Sequence, residues 1–448
     1  MRKMSPEVNG HGCGSLRPRF RDGRPRRILT NGRPMPGVRI APGVAFYLSV
    51  SILLSLNAAA GAPIPLWTHY ESEWHLSAIT ITIVYGVYAF TLLAALLTVG
   101  SLSDHVGRRP VILAALVLDA LAMLVFALAG GLKGLLIARM LQGLATGTGI
   151  AAVGAAMIDL DRKRGTLANG IASFGGFALG TLGSSVLVQY VPAPTRIVYL
   201  VLFATYLSQS LGVSFMAETT PPRAGALASL RPNVKLPRPA RWPFLVAVPI
   251  LVATWELNGF YGSLGPALLR LVTGSKSIVV VSLATPVYVG AAACAVALAR
   301  SLAPVNVIRG GTAAMLFGVA VTLLGITQTS SVLFFLGTAL AGAGFGASFQ
   351  SALRTVLPCA ETHERAGLLS AIYIVSYLGL SVPVVIAGVV IHHGATLLHT
   401  SEGFASVVIL LTALALAALL ARRTKPTRPA QQSAGPDDVM ARAGCLEA

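Results

Sequence analysis

The stretch Gly100-Ser-Leu-Ser-Asp104-His-Val-Gly107-Arg108-Arg109-Pro110-Val-Ile-Leu113 is a dense polar turn between two apolar runs. The run before it has about 25 residues and the run after it about 20, so each can cross a bilayer as a helix. A turn this short makes the two helices antiparallel neighbours. Arg108 and Arg109 predict a cytoplasmic turn, and Pro110 suits the first turn of the next helix, where its missing N–H removes no hydrogen bond.

The composition extends this prediction to the whole chain. The 448 residues are 54% hydrophobic and 11% charged, whereas soluble domains carry roughly 25% charged residues. A net charge of +18 would suggest nucleic-acid binding in a soluble protein. Here 29 of the 34 Lys and Arg residues fall in segments predicted to be cytoplasmic, four fall in outer loops and Arg139 falls within a helix. This bias predicts cytoplasmic termini and a lipid-bilayer partner, and it argues against nucleic acid.

Twelve apolar runs, each about 20 residues or slightly longer, predict an all-α polytopic membrane protein. The longest polar break between them is Pro-rich and basic and divides the chain into six runs and six. We predict a disordered basic tail (1–41), a six-helix bundle (42–216), a cytoplasmic linker (217–242), a second six-helix bundle (243–421) and a cytoplasmic tail (422–448). Met35 is an alternative initiator. The runs lie at about 43–66, 77–102, 111–130, 134–158, 167–190, 196–216, 243–266, 278–299, 309–327, 331–355, 366–390 and 403–421.

The polar turn resembles the loop between helices 2 and 3 of the major facilitator superfamily, Gly-x-x-x-Asp-Arg-x-Gly-Arg-Arg. His105 replaces the usual Arg of that loop. The resemblance implies two six-helix bundles that rock about a midplane site. It also implies a cytoplasmic gate in which the acid locks against the N-terminal end of helix 11, whose dipole favours a carboxylate. The alternative is an ordinary positive-inside turn. The gate residues in register are Gly100, Asp104, Gly107, Arg108 and Arg109.

A second motif lies in the fourth run, Arg139-Met-Leu-Gln142-Gly143. A guanidinium within the hydrocarbon region is costly unless it faces water or a polar partner, so we expect Arg139 to point into the bundle. Gln142, three residues on, can hold it. The spacing resembles the superfamily's helix 4 motif, Arg-x-x-Gln-Gly, which is associated with proton coupling in antiporters. An arginine bonded to backbone carbonyls is the alternative.

Helices 1 and 5 resemble those of the 12-helix drug:proton antiporters less closely. The first run closes with Pro63-Ile-Pro65, similar to the Pro-x-Pro ending of helix 1 in that group. Helix 5 resembles Gly-x-x-x-Gly-Pro-x-x-Gly-Gly from Gly176 onward, but Thr181 replaces the proline and two serines replace the last glycines. This departure weakens the case for export, and close helix packing also explains the glycines.

Two acids within predicted helices, Asp119 and Glu256, join Arg139 as proton-coupling candidates. Burial raises the pKa of a carboxyl group toward the range where it can take and release a proton. Glu256 is favoured because it has polar and aromatic neighbours in helix 7, a cavity-lining helix in the resembled fold. Asp119 has apolar sequence neighbours and can instead simply bond an adjacent helix. Substrate-cavity candidates, which can also simply pack, are Asn57, Gln142, Asn258, Tyr261, Tyr373 and Tyr377.

The function predicted from these features is proton-coupled export of small amphipathic molecules or drugs by a monomer in the plasma membrane. A sugar or metabolite carrier of the same fold, a uniporter or importer, is the alternative. An integral-membrane enzyme or a sensor is disfavoured because the sequence has no Gly-x-x-x-x-Gly-Lys phosphate loop, no His-x-x-x-x-Asp pair and no large soluble domain. We expect no metal or cofactor, since the histidines near residue 393 form no recognisable ligand set, and we expect a proton gradient to supply the energy.

Overall fold

The computed structural model describes residues 39–361 and 364–421. The predictions for Met35 and for the two terminal tails lie outside these residues, apart from residues 39–41. The described part contains twelve helices long and apolar enough to cross a membrane, and no strand. They are α1 (Pro42–Gly61), α2 (Ala78–Thr98), α3 (Arg108–Leu128), α4 (Leu132–Leu160), α5 (Arg162–Tyr190), α6 (Pro194–Ser214), α7 (Arg238–Ser263), α8 (Ala284–Leu298), α9 (Pro304–Thr327), α10 (Ser331–Val356), α11 (Arg365–His392) and α12 (Leu397–Ala421).

The helices differ from the predicted runs mainly at their ends. Helix α7 begins at Arg238 rather than near residue 243, because charged and aromatic residues can continue a helix beyond the hydrocarbon region. Helix α1 ends at Gly61, and a short helix, Trp67–Trp74, follows the two prolines. Neither proline can donate a backbone hydrogen bond, which favours a break at this point.

The packing of the helices repeats between the two halves of the chain. In the first half α3 packs on α4 and α6, α2 packs on α4, and α1 packs on α5. The helices six positions later make the same pairs: α9 with α10 and α12, α8 with α10, and α7 with α11. Two bundles of six helices with one shared plan result, and they meet through α2 against α11 and α5 against α8.

Glycines at four-residue spacing allow the closest of these approaches. A Cβ on Gly176 or Gly180 of α5 would overlap the backbone of α1 at Leu54 or Ala58. Close packing of α5, one of the two explanations of its glycines, is therefore present. Small residues at this spacing are typical of helix pairs in membranes, where backbones approach closely.

The two ends of the molecule differ in how the halves meet. We call the end that carries Gly100–Pro110 the motif end and the opposite one the far end. At the far end, Gly388 of α11 abuts Thr82 of α2. There Gln189 of α5 also accepts hydrogen bonds from the Ser277 hydroxyl (2.7 Å) and the Val279 N–H (3.0 Å). At the motif end, a cavity of about 880 Å³ separates the start of α5 from the ends of α8 and α10. The halves therefore touch at the far end and stand apart at the motif end.

Candidate functional site

A glutamate organises the polar turn between α2 and α3. Glu218, just after α6, accepts hydrogen bonds from the N–H groups of Arg108 (2.7 Å) and Arg109 (3.1 Å), the first residues of α3. Gly107 has a φ of 107°, and a Cβ there would lie 2.6 Å from a carboxylate oxygen of Glu218. The carboxylate thus caps a helix N-terminus, where the dipole favours negative charge, and it needs a glycine beside it.

Arg108 gathers the acids of the turn. It is 8% exposed, forms an ion pair with Asp104, and bonds Asp159 at the end of α4 from its Nε (3.2 Å). Arg109 donates to the Ser214 carbonyl, and Gly100 follows α2 one turn before Asp104. Asp104 therefore pairs within its own loop.

The start of α11 is bonded to the linker. The resemblance implied a contact between Asp104 and this helix, but here the N–H of Lys235 donates to the Gly367 carbonyl (3.3 Å). The same linker contacts the first half, since the Ser101 hydroxyl donates to the Ser229 carbonyl (3.0 Å). Among the residues that the structure describes, Asp104 makes no hydrogen bond or ion pair with α11, which agrees with the separation of the halves at this end.

Arg139 lies in the interior of the first half, as its sequence context predicts, and no part of it is exposed. Its guanidinium stands over three aromatic rings: Trp67 at 5.0 Å, Tyr88 at 5.3 Å and Phe126 at 5.8 Å from the ring centroids. These rings come from the short helix after α1, from α2 and from α3. Cation–π attraction of this kind strengthens in a desolvated site, so the cage stabilises a charge that the bilayer would otherwise disfavour.

Gln142 holds the arginine in place. One terminal nitrogen of Arg139 donates to the Gln142 side-chain oxygen (2.8 Å), and the Gln142 amide donates to the Ala59 carbonyl (2.8 Å). The Nε and the other terminal nitrogen of Arg139 have no hydrogen-bond partner among the described residues. Unused donors in a buried site are costly, and they are available to an anionic group that enters it.

Both candidate acids are buried. Asp119 of α3 has no exposed surface, and Glu256 of α7 is 3% exposed. Neither Asp119 oxygen has a hydrogen-bond partner among the described residues, and one Glu256 oxygen also lacks one. Tyr206 lies beside Asp119, but its hydroxyl donates to the Ser55 carbonyl (3.0 Å).

Glu256 shares a helix face with two residues that touch α11. Gly259 abuts Leu380, and Val252 abuts Gly379. Because Glu256 lies one turn from each of them, its helix position directs it toward α11 and away from the motif-end cavity, whose wall does not include it.

Aromatic side chains from both halves form one cluster at the centre of the molecule. Trp255 of α7 lies 4.7 Å from Tyr377 of α11 and 5.5 Å from Phe349 of α10, measured between ring centroids. Phe345 of α10 meets Phe174 of α5 at 5.1 Å, which joins the second half to the first. The cluster forms an aromatic contact at the junction of the two bundles, in which Phe345 is 2% and Tyr377 8% exposed.

The family of the chain is shown by its match to a known family model. Residues 47–305, from α1 to the start of α9, match the family model of the Major Facilitator Superfamily. The chain belongs to that superfamily. A superfamily member of this kind is a multi-pass membrane transporter of small molecules and not an enzyme.

Solved structures support the same fold. The crystal structure of a point mutant of the nucleoside transporter NupG superposes with a TM-score of 0.64 at 12% identity, covering 84% of this chain and 99% of that one. At such low identity the likeness concerns the fold alone. No curated protein matches the sequence.

The remaining predicted cavity residues of this superfamily member lie at different depths. Tyr377 belongs to the aromatic cluster, with Tyr373 6.4 Å away, and Asn258 is half-buried one turn from Trp255. Tyr261 lies inside the second bundle, where its hydroxyl bonds those of Thr338 (3.1 Å) and Thr322 (3.3 Å). Asn57 is half-buried, and its amide donates to the Leu53 carbonyl (2.9 Å).

Sequence reasoning missed several of these contacts. Glu218 follows an apolar run within a polar segment, where an acid gives no distinctive signal. Nothing in the sequence around Trp67 links it to Arg139, and nothing around Trp255 links it to α10. Phe345 and Phe349 lie in a glycine-rich run and resemble ordinary packing residues. Their period of four on α10 was the one available signal, because it puts both rings on one face.

Proposed function

We propose that this transporter is a proton-coupled exporter of small amphipathic molecules that works by alternating access. The observation that carries the proposal is the burial of Asp119 and Glu256 without an ion-pair partner among the described residues. A carboxyl group in hydrocarbon is tolerated mainly in its neutral form, and it ionises when water or a cation reaches it. Each group can therefore take up a proton in one conformation and release it in another.

Arg139 is the basic partner in this scheme. Its two unpartnered nitrogens can bond an ionised carboxylate or a substrate anion when the bundles rearrange, while Gln142 keeps the guanidinium oriented. Arg139 and a buried acid, Asp119 or Glu256, can thereby couple substrate binding to the charge state of that acid.

The aromatic cluster supports amphipathic compounds as substrates. Trp255, Phe345 and Tyr377 pack together at the bundle junction, where a rearrangement of the bundles would uncover their ring faces. Half-buried Asn258 lies near them on α7. A site of this kind binds apolar skeletons through its rings and orients them with few polar groups. We further propose that the Asp104–Arg108 turn forms the cytoplasmic gate and that the protein acts as a monomer in the plasma membrane.

The test uses inside-out membrane vesicles from a host that lacks its own exporters. A panel of amphipathic dyes and drugs is screened for uptake driven by an imposed pH gradient, with and without a proton uncoupler. We expect Glu256→Gln and Asp119→Asn each to abolish gradient-driven uptake while energy-independent exchange of the same substrate persists. Glu402→Gln, which changes an acid at the start of α12, is the matched control. Full gradient-driven uptake in both α3 and α7 variants would refute proton coupling through these acids.

A carrier of sugars or other metabolites is the second candidate. The observation that favours it is that helix α5 lacks the antiporter proline: Thr181 donates to the Gly61 carbonyl (3.3 Å) and Ser184 to the Ala62 carbonyl (2.5 Å). Counterflow in proteoliposomes with a sugar and nucleoside panel separates the two functions. Substrate exchange that is rapid without any pH gradient and indifferent to an uncoupler would favour the carrier.

A further inference from the structure

The cavity at the motif end lies between the halves. Its volume of about 880 Å³ falls within the range of roughly 300–1,000 Å³ that holds drug-sized ligands. The start of α5 forms one wall, and the ends of α8 and α10 form the other.

Four cationic side chains line this cavity: Lys163 and Arg164 on α5, Arg300 after α8, and Arg354 on α10. The part of the wall that the structure describes contains no acid. Lys163 and Arg300 are exposed and have no ion pair among the described residues. Arg164 has one acid nearby, Asp161 at 3.6 Å. A cleft walled by one sign of charge concentrates ligands of the opposite sign.

Two polar residues lie on the α10 wall. Ser351 is fully buried, and its hydroxyl has no hydrogen-bond partner in the described part of the chain. Gln350 is half-buried beside it. Buried hydroxyls normally make a hydrogen bond, so an unpartnered hydroxyl in the wall of a cavity indicates a ligand or water to which it donates one. One terminal nitrogen of Arg354, one turn along α10, donates to the Leu302 carbonyl (3.3 Å), and its other N–H groups can still donate to a ligand.

The aromatic cluster lies just beyond the cavity on the same helix. Gln350 follows Phe349 directly, and Phe349 contacts Trp255. The rings of the cluster therefore adjoin the α10 wall of the cavity without lining it.

We infer that this cavity binds aromatic organic anions, compounds with a carboxylate, sulfonate or phosphate on a flat apolar skeleton, which enter from the motif end. The cations hold the anionic group, and the rings beyond them receive the skeleton. This deepens the proposed function and rests on it for the direction of transport, but binding itself requires no proton gradient.

The experiment measures binding of two matched probes to the full-length protein in nanodiscs of phosphatidylcholine. The probes are 8-anilinonaphthalene-1-sulfonate and N-phenyl-1-naphthylamine, the same ring system without the sulfonate. The double variant Lys163→Gln/Arg300→Gln removes two cations that have no hydrogen bond among the described residues, so folding is spared. We expect the Kd of the sulfonate to rise about tenfold in the variant, with a smaller effect at high salt, while the Kd of the neutral probe changes less than about twofold.

The control, Arg270→Gln/Lys276→Gln, removes two cations near the far end, one in the short helix Gly265–Thr273 and one in the loop after it. It should leave the Kd values of both probes unchanged. Equal Kd values for the sulfonate in wild type and the Lys163/Arg300 variant would overturn the inference, because the cations would then serve topology alone. Repeating the titration with phosphatidylglycerol in the nanodisc tests the lipid source of the same chemistry. Loss of sulfonate binding in wild type but not in the variant would assign the cations to a lipid headgroup and would also overturn it. Because these are binding measurements, failure of proton-driven transport would leave their outcome intact.

Discussion

Replacing Gly107 with alanine should destabilise the protein through two separate effects. The φ of 107° with a ψ of 154° lies in a region populated essentially by glycine, and it costs a residue with a Cβ about 1–3 kcal/mol. The new Cβ would lie 2.6 Å from a Glu218 oxygen that is bonded to the start of α3. Displacing that carboxylate removes a helix cap worth about 1 kcal/mol and a charge–dipole attraction of about 0.3–1 kcal/mol. Together these effects predict a loss of about 2–5 kcal/mol in the free energy of unfolding.

The assay is thermal unfolding of the purified protein in detergent, followed by tryptophan fluorescence. For a chain of this length we expect the Tm of Gly107→Ala to fall by about 2–8 °C. Gly183→Ala is the matched control, because a Cβ at that position on α5 has no atom within 4 Å. Its Tm should stay constant or rise slightly, since alanine is the better helix residue.

A double-mutant cycle separates the backbone effect from the contact. In a Glu218→Ala background the carboxylate is absent, so Gly107→Ala should cost only its backbone strain, about 1–3 kcal/mol. An equal cost in both backgrounds would show that the Glu218 contact contributes nothing to the glycine requirement. An unchanged Tm in the wild-type background would refute the whole account of this turn.

Substitutions at three further positions test the packing and the site. Gly180→Ala places a Cβ against the α1 backbone, and overpacking of this kind costs about 1–3 kcal/mol. The Tm should therefore fall more than for any surface substitution, and a normal Tm would contradict the close approach of the two helices. Arg139→Lys should fold but lose most transport in vesicles, because an ammonium cannot stack on three rings while bonding Gln142; full transport would be inconsistent with the cage. Trp255→Phe should keep the KM for substrate within a few-fold of the wild-type value, whereas Trp255→Ala should raise it at least about tenfold, because it removes a ring face. A wild-type KM in Trp255→Ala would exclude Trp255 from the site.

Local patterns account for the part of the fold that the sequence predicts. Twelve helices and the division into two halves follow from apolar runs long enough to span a bilayer and from the position of one long polar break. The bond from Arg139 to Gln142 was also foreseeable, because residues three apart share a helix face. Each of these inferences uses a short window of sequence.

Contacts between distant segments were not foreseeable. The cage around Arg139 uses Trp67, Tyr88 and Phe126, which lie in three separate segments, and nothing in any one of them indicates the others. Glu218 bonds a residue 110 positions earlier. Such pairs depend on how the helices pack, and a single sequence carries no periodicity that reports it. The contact of Trp255 with α10 was likewise not predictable, because the glycines of α10 dominate the sequence pattern of that helix.

The linker acts as a strap of fixed length between the halves. It is attached to the first half at Ser229 and to the start of α11 at Lys235. Six residues of fully extended chain reach at most about 20 Å. The α2–α3 turn and α11 therefore cannot separate further than this span allows without breaking one of these two hydrogen bonds, so wide opening of the motif end is coupled to release of the linker.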